Sequence, residues 1–149
     1  MATYYVTAAA AGGGTGAIGD PWTLEEACDN VAANDTVYVK ADNDYTVEYD
    51  TGGAKNCIMY LVTNGALATP ITWIGYHTNP GDGGVVTLDA SVNGLNFAID
   101  LHGMDYQIFE NFVFANGASR SISATGSTYC IFKNCSAEGA TSEGGGTGS

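Results

Sequence analysis

Basic side chains are scarce in this 149-residue chain. Four Lys and Arg stand against 16 Asp and Glu, for a net charge of -12. Nucleic acid is excluded as a partner on that ground, because phosphate binding needs clustered cations. Anionic membrane surfaces are disfavoured likewise, and an acidic polysaccharide would be repelled unless a cation bridged it. Charged residues of either sign make up only 13%, against roughly 25% in an average soluble domain. No apolar run is long enough to span a bilayer. The opening stretch, MATYYVTAAAAGGGTG, lacks the basic and apolar regions of a secretory signal. An extracellular or virion location is therefore expected without a signal in this chain; a phage protein released by lysis needs none.

Cysteine is limited to Cys28, Cys57, Cys130 and Cys135. No C-x2-C pair occurs and no His stands close to them, so a zinc site is not expected. Buried free thiols are the default reading, with a Cys130–Cys135 bridge left open. The glycine run AGGGTGAIGDP has no following lysine and is read as a connector, not a phosphate loop.

Glycine is plentiful, at 21 residues, and fits many tight turns. The sequence also repeats itself. YQIFENF at 106–112 returns as YCIFKNC at 129–135, and the match extends to Ile99 with Ile122 and Gly103 with Gly126. A period of 23 residues marks a solenoid whose single turns cannot bury their apolar faces alone. The runs within each turn are short and alternate with period 2, as in FAIDLHG, and are broken by Gly, Asn and Ser. That pattern means strands. A regular leucine framework and long 3.6-period segments are both missing, which leaves a parallel β-helix. Asn111 over Asn134 is expected to form a side-chain ladder at a bend. Tyr106 should stack with Tyr129, and Ile108 with Ile131, the isoleucines pointing inward.

One helix stands out. In PWTLEEACDNVAAND, Thr23 and Glu26 form a capping box, and Leu24, Ala27, Cys28 and Val31 form one apolar stripe. A helix over about 22–33 is expected to close the first coil. Strands follow at DTVYVKA, DYTVEY, CIMYLVT, PITWIGY and VVTLDAS. The domain is taken as residues 1–139, with a Gly/Ser-rich tail or linker over 140–149. The upper apolar end, after Tyr129–Cys135, carries no capping pattern.

The segments GDPWTLEEACDNVAANDTVYVKADNDYTV and TPITWIGYHTNPGDGGVVTLDAS resemble the entry coils of right-handed parallel β-helix proteins of the pectate-lyase-like superfamily. The resemblance covers residues 3 to about 139. It implies an all-β, right-handed parallel β-helix with a short N-terminal capping α-helix. It does not imply one activity, because the superfamily includes polysaccharide lyases, glycoside hydrolases, phage tailspikes and inert structural proteins. The hydrolase motifs with paired acids, and the lyase pattern of a base beside acids, do not occur here.

The remaining candidates are therefore sparse. Asp100 and His102 share an outward face, with Asp105 nearby, and are the catalytic candidates, although an exposed Asp-x-His is more often solvated. Asp42, Asp44 and Glu48 are metal candidates, although their spacing does not match an EF-hand. Tyr38, Tyr45 and Tyr49 are candidates for stacking on glycans. No cofactor is implied. The expected role is a non-enzymatic structural β-helix, tail-fibre or tailspike-like, contacting polysaccharide. The alternatives are the N-terminal part of a secreted polysaccharide lyase or glycoside hydrolase, and an extracellular filament subunit, a homo-oligomer stacked end to end through its open coil.

Overall fold

The computed structural model of the chain describes residues 1–50, 53 and 55–140. Of the expected tail, residues 141–149 lie outside the described residues. The elements are β1 (Thr3–Val6), α1 (Leu24–Asn30), β2 (Thr36–Lys40), β3 (Cys57–Tyr60), β4 (Ile71–Tyr76), β5 (Val86–Asp89), β6 (Phe97–Asp100), β7 (Gln107–Glu110), β8 (Phe112–Ala115), β9 (Ile122–Ser123), β10 (Ile131–Lys133) and β11 (Ser136–Glu138). They form three sheets, β1-β2-β4-β7-β10, β11-β8-β5 and β3-β6-β9. Every strand pair is parallel. Parallel neighbours joined by crossovers, three sheets around one core, make a parallel β-helix, as the sequence pattern and the resemblance both imply.

In the five-stranded sheet, one register column runs Thr3, Thr36, Thr72, Ile108, Ile131. The early coils are thus longer than the 23-residue last one. Their extra residues form the loops that carry the cap and the surface features described below.

The repeated residues are bend residues. Gly103 and Gly126, Tyr106 and Tyr129, and Asn111 and Asn134 all have positive φ. Asn116 and Gly139, also 23 apart, make a further matched bend. The asparagine ladder forms: Asn134 Nδ2 donates to Asn111 Oδ1 (3.4 Å), and Asn111 Nδ2 donates to the Gly75 carbonyl (3.5 Å). Gly75 is the register neighbour one coil below, and a Cβ there would lie 2.5 Å from the Asn111 carbonyl oxygen.

Ile108 and Ile131 are register partners, but they face outward, contrary to expectation. Gln107 and Phe109 are fully buried while Ile108 between them is not, so the odd-numbered side chains of β7 face the core. The inner stack is Trp73, Phe109 and Phe132, with Trp73 and Phe109 fully buried. A glutamine at an inner position hides the alternation in the sequence. Its amide is satisfied: Oε1 accepts from Trp73 Nε1 (3.1 Å), and Nε2 donates to the Thr63 carbonyl (2.9 Å).

The helix is shorter than 22–33, running Leu24–Asn30 with Thr23 as its N-cap and Val31, in extended conformation, as its C-cap. The capping box is complete: Glu26 N–H donates to Thr23 Oγ1 (3.1 Å), and Thr23 N–H to Glu26 Oε2 (2.8 Å). Leu24, Ala27 and Cys28 are buried against the first coil. The lower edge of β1 is also covered: Tyr5 N–H donates to Gly16 O, and Tyr5 O accepts from Trp22 N–H. DYTVEY does not form a strand and contributes only a bridge from Tyr45 to Leu88.

The opposite end is open among the described residues. β9, β10 and β11 are all terminal strands of their sheets. Tyr129 is 67% exposed, and Phe132, at the top of the inner stack, is exposed above the core.

Candidate functional site

The register of β3-β6-β9 lines up Tyr60, Asp100 and Ser123 in one column. The opposite parity, Met59 with Ile99 and Ile122, points into the core. Tyr60 and Asp100 therefore turn to the other side of the sheet, where Asp100 is half-buried and Tyr60 is buried beneath Tyr49 and His102. A leucine separates Asp100 from His102, which sits at the bend with φ +45°. Its backbone N–H donates to Asp100 Oδ1 (3.1 Å). The carboxylate thus engages the backbone of His102 and fixes the bend; no direct bond joins it to the imidazole. The ring of His102 lies 5.2 Å from that of Tyr60, tilted by 35°. Lys55 Nζ stands 4.3 Å over the Tyr60 ring, a cation held by the ring's negative face. Tyr49 packs on Tyr60, with centroids 5.4 Å apart.

The result is a strip of ammonium, phenol, imidazole and carboxylate groups across two coils. Such a strip presents an ammonium group and hydrogen-bonding side chains to an anionic or hydroxyl-rich ligand. Lys55 and Tyr60 escaped the sequence reading. They lie some forty residues before Asp100, and only the alignment of β3 on β6 joins them. Asp105, expected beside the pair, instead links coils: its Oδ1 accepts from Thr128 N–H (2.6 Å) and Thr128 Oγ1 (2.8 Å).

The three tyrosines named from the sequence separate. Tyr38 lies on the outer face of the five-stranded sheet, stacked on Tyr5 (5.7 Å) and edge-on to Tyr76 (6.1 Å). Tyr45 and Tyr49 are buried. Tyr45 donates its hydroxyl to the Lys40 carbonyl (3.0 Å) and Tyr49 to Asp29 Oδ1 (2.6 Å). They form no exposed platform with Tyr38. Burial raises both phenols well above their usual range, with the Asp29 hydrogen bond adding to the effect at Tyr49.

The acidic candidates separate too. Asp42 accepts from Thr7 Oγ1 (2.5 Å) and lies 4.0 Å from Lys40 Nζ. Asp44 and Glu48 instead line a cleft of about 340 Å³ beside the helix entry. Among the described residues no group of three or more His, Cys, Asp or Glu is arranged to hold a metal ion. Cys130 and Cys135 are free thiols. Strand β10 lies between them, and each donates to a carbonyl of the coil below, Met104 O and Phe109 O. Five residues of largely extended chain place their Cα atoms about 15 Å apart, beyond the roughly 7 Å limit of a bridge.

These observations define a parallel β-helix with a short strip of charged and aromatic side chains along one sheet. Among solved structures the chain is similar to a rhamnogalacturonan lyase, with a TM-score of 0.56 over 80% of this chain and 18% identity. At that identity the likeness is one of fold. The chain spans 29% of the length of that lyase. No family model matches the sequence, and no curated protein does.

Proposed function

We propose that this chain forms the capped entry coils of a polysaccharide-active β-helix. In this reading it binds a pectin-type chain along the strip on β3-β6-β9 and leaves cleavage to coils stacked above it. The observation that carries the reading is the convergence of Lys55, Tyr60, Asp100 and His102 along one sheet of a fold shared with a polysaccharide lyase. Lys55 offers a counter-charge to a uronate carboxylate, and the exposed imidazole of His102, held on the buried Tyr60 ring, offers a hydrogen-bonding edge to sugar hydroxyls. The open edges of β9, β10 and β11 supply the seat on which a further coil adds. The tail-fibre-like role expected from the sequence gains no feature of its own from this fold.

Affinity electrophoresis through gels containing rhamnogalacturonan tests the reading. The chain should be retarded, release no unsaturated sugar product, and lose retardation in Lys55→Ala. Equal mobility with and without the polysaccharide would rule the reading out.

A second reading concerns copies of the chain. The apolar open end favours end-to-end association, but the covered lower edge of β1 gives a second copy no free edge to join there. Stacking of copies would therefore pair open end with open end and stop at a dimer, not a filament. Sedimentation of the chain and of Phe132→Asp separates the cases: a dimer lost on substitution supports this reading, and a monomer throughout removes it.

A further inference from the structure

We infer that the cleft between the cap helix and the 43–49 loop is a second saccharide site, selective for sugars without carboxylate or sulfate groups. The inference rests on the reading of the chain as polysaccharide-binding, and it assigns a distinct substrate class to a distinct surface.

The cleft has a volume of about 340 Å³, in the range of small-ligand sites. Its lining includes the buried side chains of Leu24, Tyr49 and Ile58, an apolar base for the cleft. Thr23 and Glu25 line one wall, and Asp44, Thr46 and Glu48 the other. A pyranose has an apolar C–H face and a rim of hydroxyls, which matches such a floor and rim. Carboxylates accept charge-assisted hydrogen bonds from those hydroxyls.

The walls are held apart before any ligand arrives. Tyr49 ties the loop to the helix through Asp29, Tyr45 ties it to Lys40, and Asn93 Nδ2 donates to the Thr46 carbonyl (2.8 Å). A preformed site spends less of its binding energy on ordering.

Charge sets the selectivity. Glu25, Asp44 and Glu48 all line the cleft, and among the described residues neither Lys nor Arg does. A uronate or sulfate placed there meets like charge, which is how a site rejects a competitor. Lys55 itself does not line the cleft; it stands over Tyr60, where the strip reading gives it the opposite preference.

The test is calorimetric titration of the chain with β-1,4-linked hexasaccharides of xylose, mannose, glucose and galactose, with hexagalacturonate, and with spermidine as a cationic probe. At least one neutral hexasaccharide should bind and shift the amide resonances of residues 23–25 and 43–49. Its affinity should fall about tenfold in Glu25→Gln/Asp44→Asn, whose melting should match the parent, and should not change in Lys55→Ala. Neutral-sugar binding that ignores the double substitution overturns the inference. So does spermidine binding tighter than every sugar. Lys55-dependent binding of hexagalacturonate with no neutral binding overturns the inference but leaves the strip reading standing. Binding of no sugar at all overturns both.

Discussion

The ring of Tyr129 lies on that of Tyr106, with centroids 4.8 Å apart and planes 4° from parallel. The two residues are 23 apart in sequence, and both adopt positive φ, +55° and +56°. A bulky side chain seldom accepts that conformation. Here the bend before β7 and β10 requires it, and stacking of the two rings helps to offset the strain, since such pairs are worth about 0.5–1.5 kcal/mol.

The asparagine column should be the most sensitive of the bends. Asn111→Ala loses both ladder bonds and forces alanine into the left-handed region. Together these cost about 2–3 kcal/mol. Asn111→Gly keeps the backbone comfortable and should cost about 1 kcal/mol, the bonds alone. Urea denaturation measures both, and equal losses would mean that the bend geometry is not what asparagine supplies.

Phe109 touches the ladder above, Phe132, and the one below, Trp73, and is fully buried. Phe109→Ala should destabilise by about 3–5 kcal/mol. Ile108→Ala, one residue away but facing out, should cost less than about 1 kcal/mol. The ratio of the two losses in denaturant reads the strand parity directly.

Acid should loosen the cap. Backbone N–H groups of Thr23 and Gly13 donate to Glu26 and hold its carboxyl below the usual 4.5. A carboxyl lowered on folding contributes stability above the unfolded value and loses it as pH falls through the folded one. Glu26→Gln should therefore lower the melting temperature at neutral pH and flatten its fall below about pH 5, so that parent and variant converge in acid. An unchanged acid limb would show that this carboxyl is not held in the cap.

All four cysteines should titrate only after denaturation or slowly. Cys28 and Cys57 are buried, and burial pushes the Cys57 thiol up to about 12 and that of Cys28 further. Burial also raises Cys130 and Cys135. Mild oxidation should leave the mass of the chain unchanged, whereas a loss of two hydrogen atoms would indicate a bridge that this fold cannot form.

Much of the fold was legible in the sequence because its bends and strands repeat. Tyr106 with Tyr129, and Asn111 with Asn134, marked the length of the last coil, and the Thr23–Glu26 box marked the start of the cap. The facing of β7 was not legible, because Gln107 is polar yet inward while Ile108 is apolar yet outward. Candidate-site residues were harder still. Asp100 and His102 are neighbours in sequence and could be seen together. Lys55 and Tyr60 join them only through the pairing of β3 with β6, a long-range register that alternation within one strand does not encode. Tyr45 and Tyr49 resembled surface aromatics because their loop is acidic, but hydrogen bonds to Lys40 and Asp29 bury them.

The stacking of coils is tested most directly by disulfide trapping across the 23-residue step. Ile108→Cys/Ile131→Cys, made with Cys130 and Cys135 replaced by Ser, places two thiols on register partners about 4.8 Å apart in the backbone, and should cross-link rapidly within the monomer. Ile108→Cys/Lys133→Cys, two residues out of register, should not. Faster bridging of the second pair, or none in the first, would contradict the β-helix.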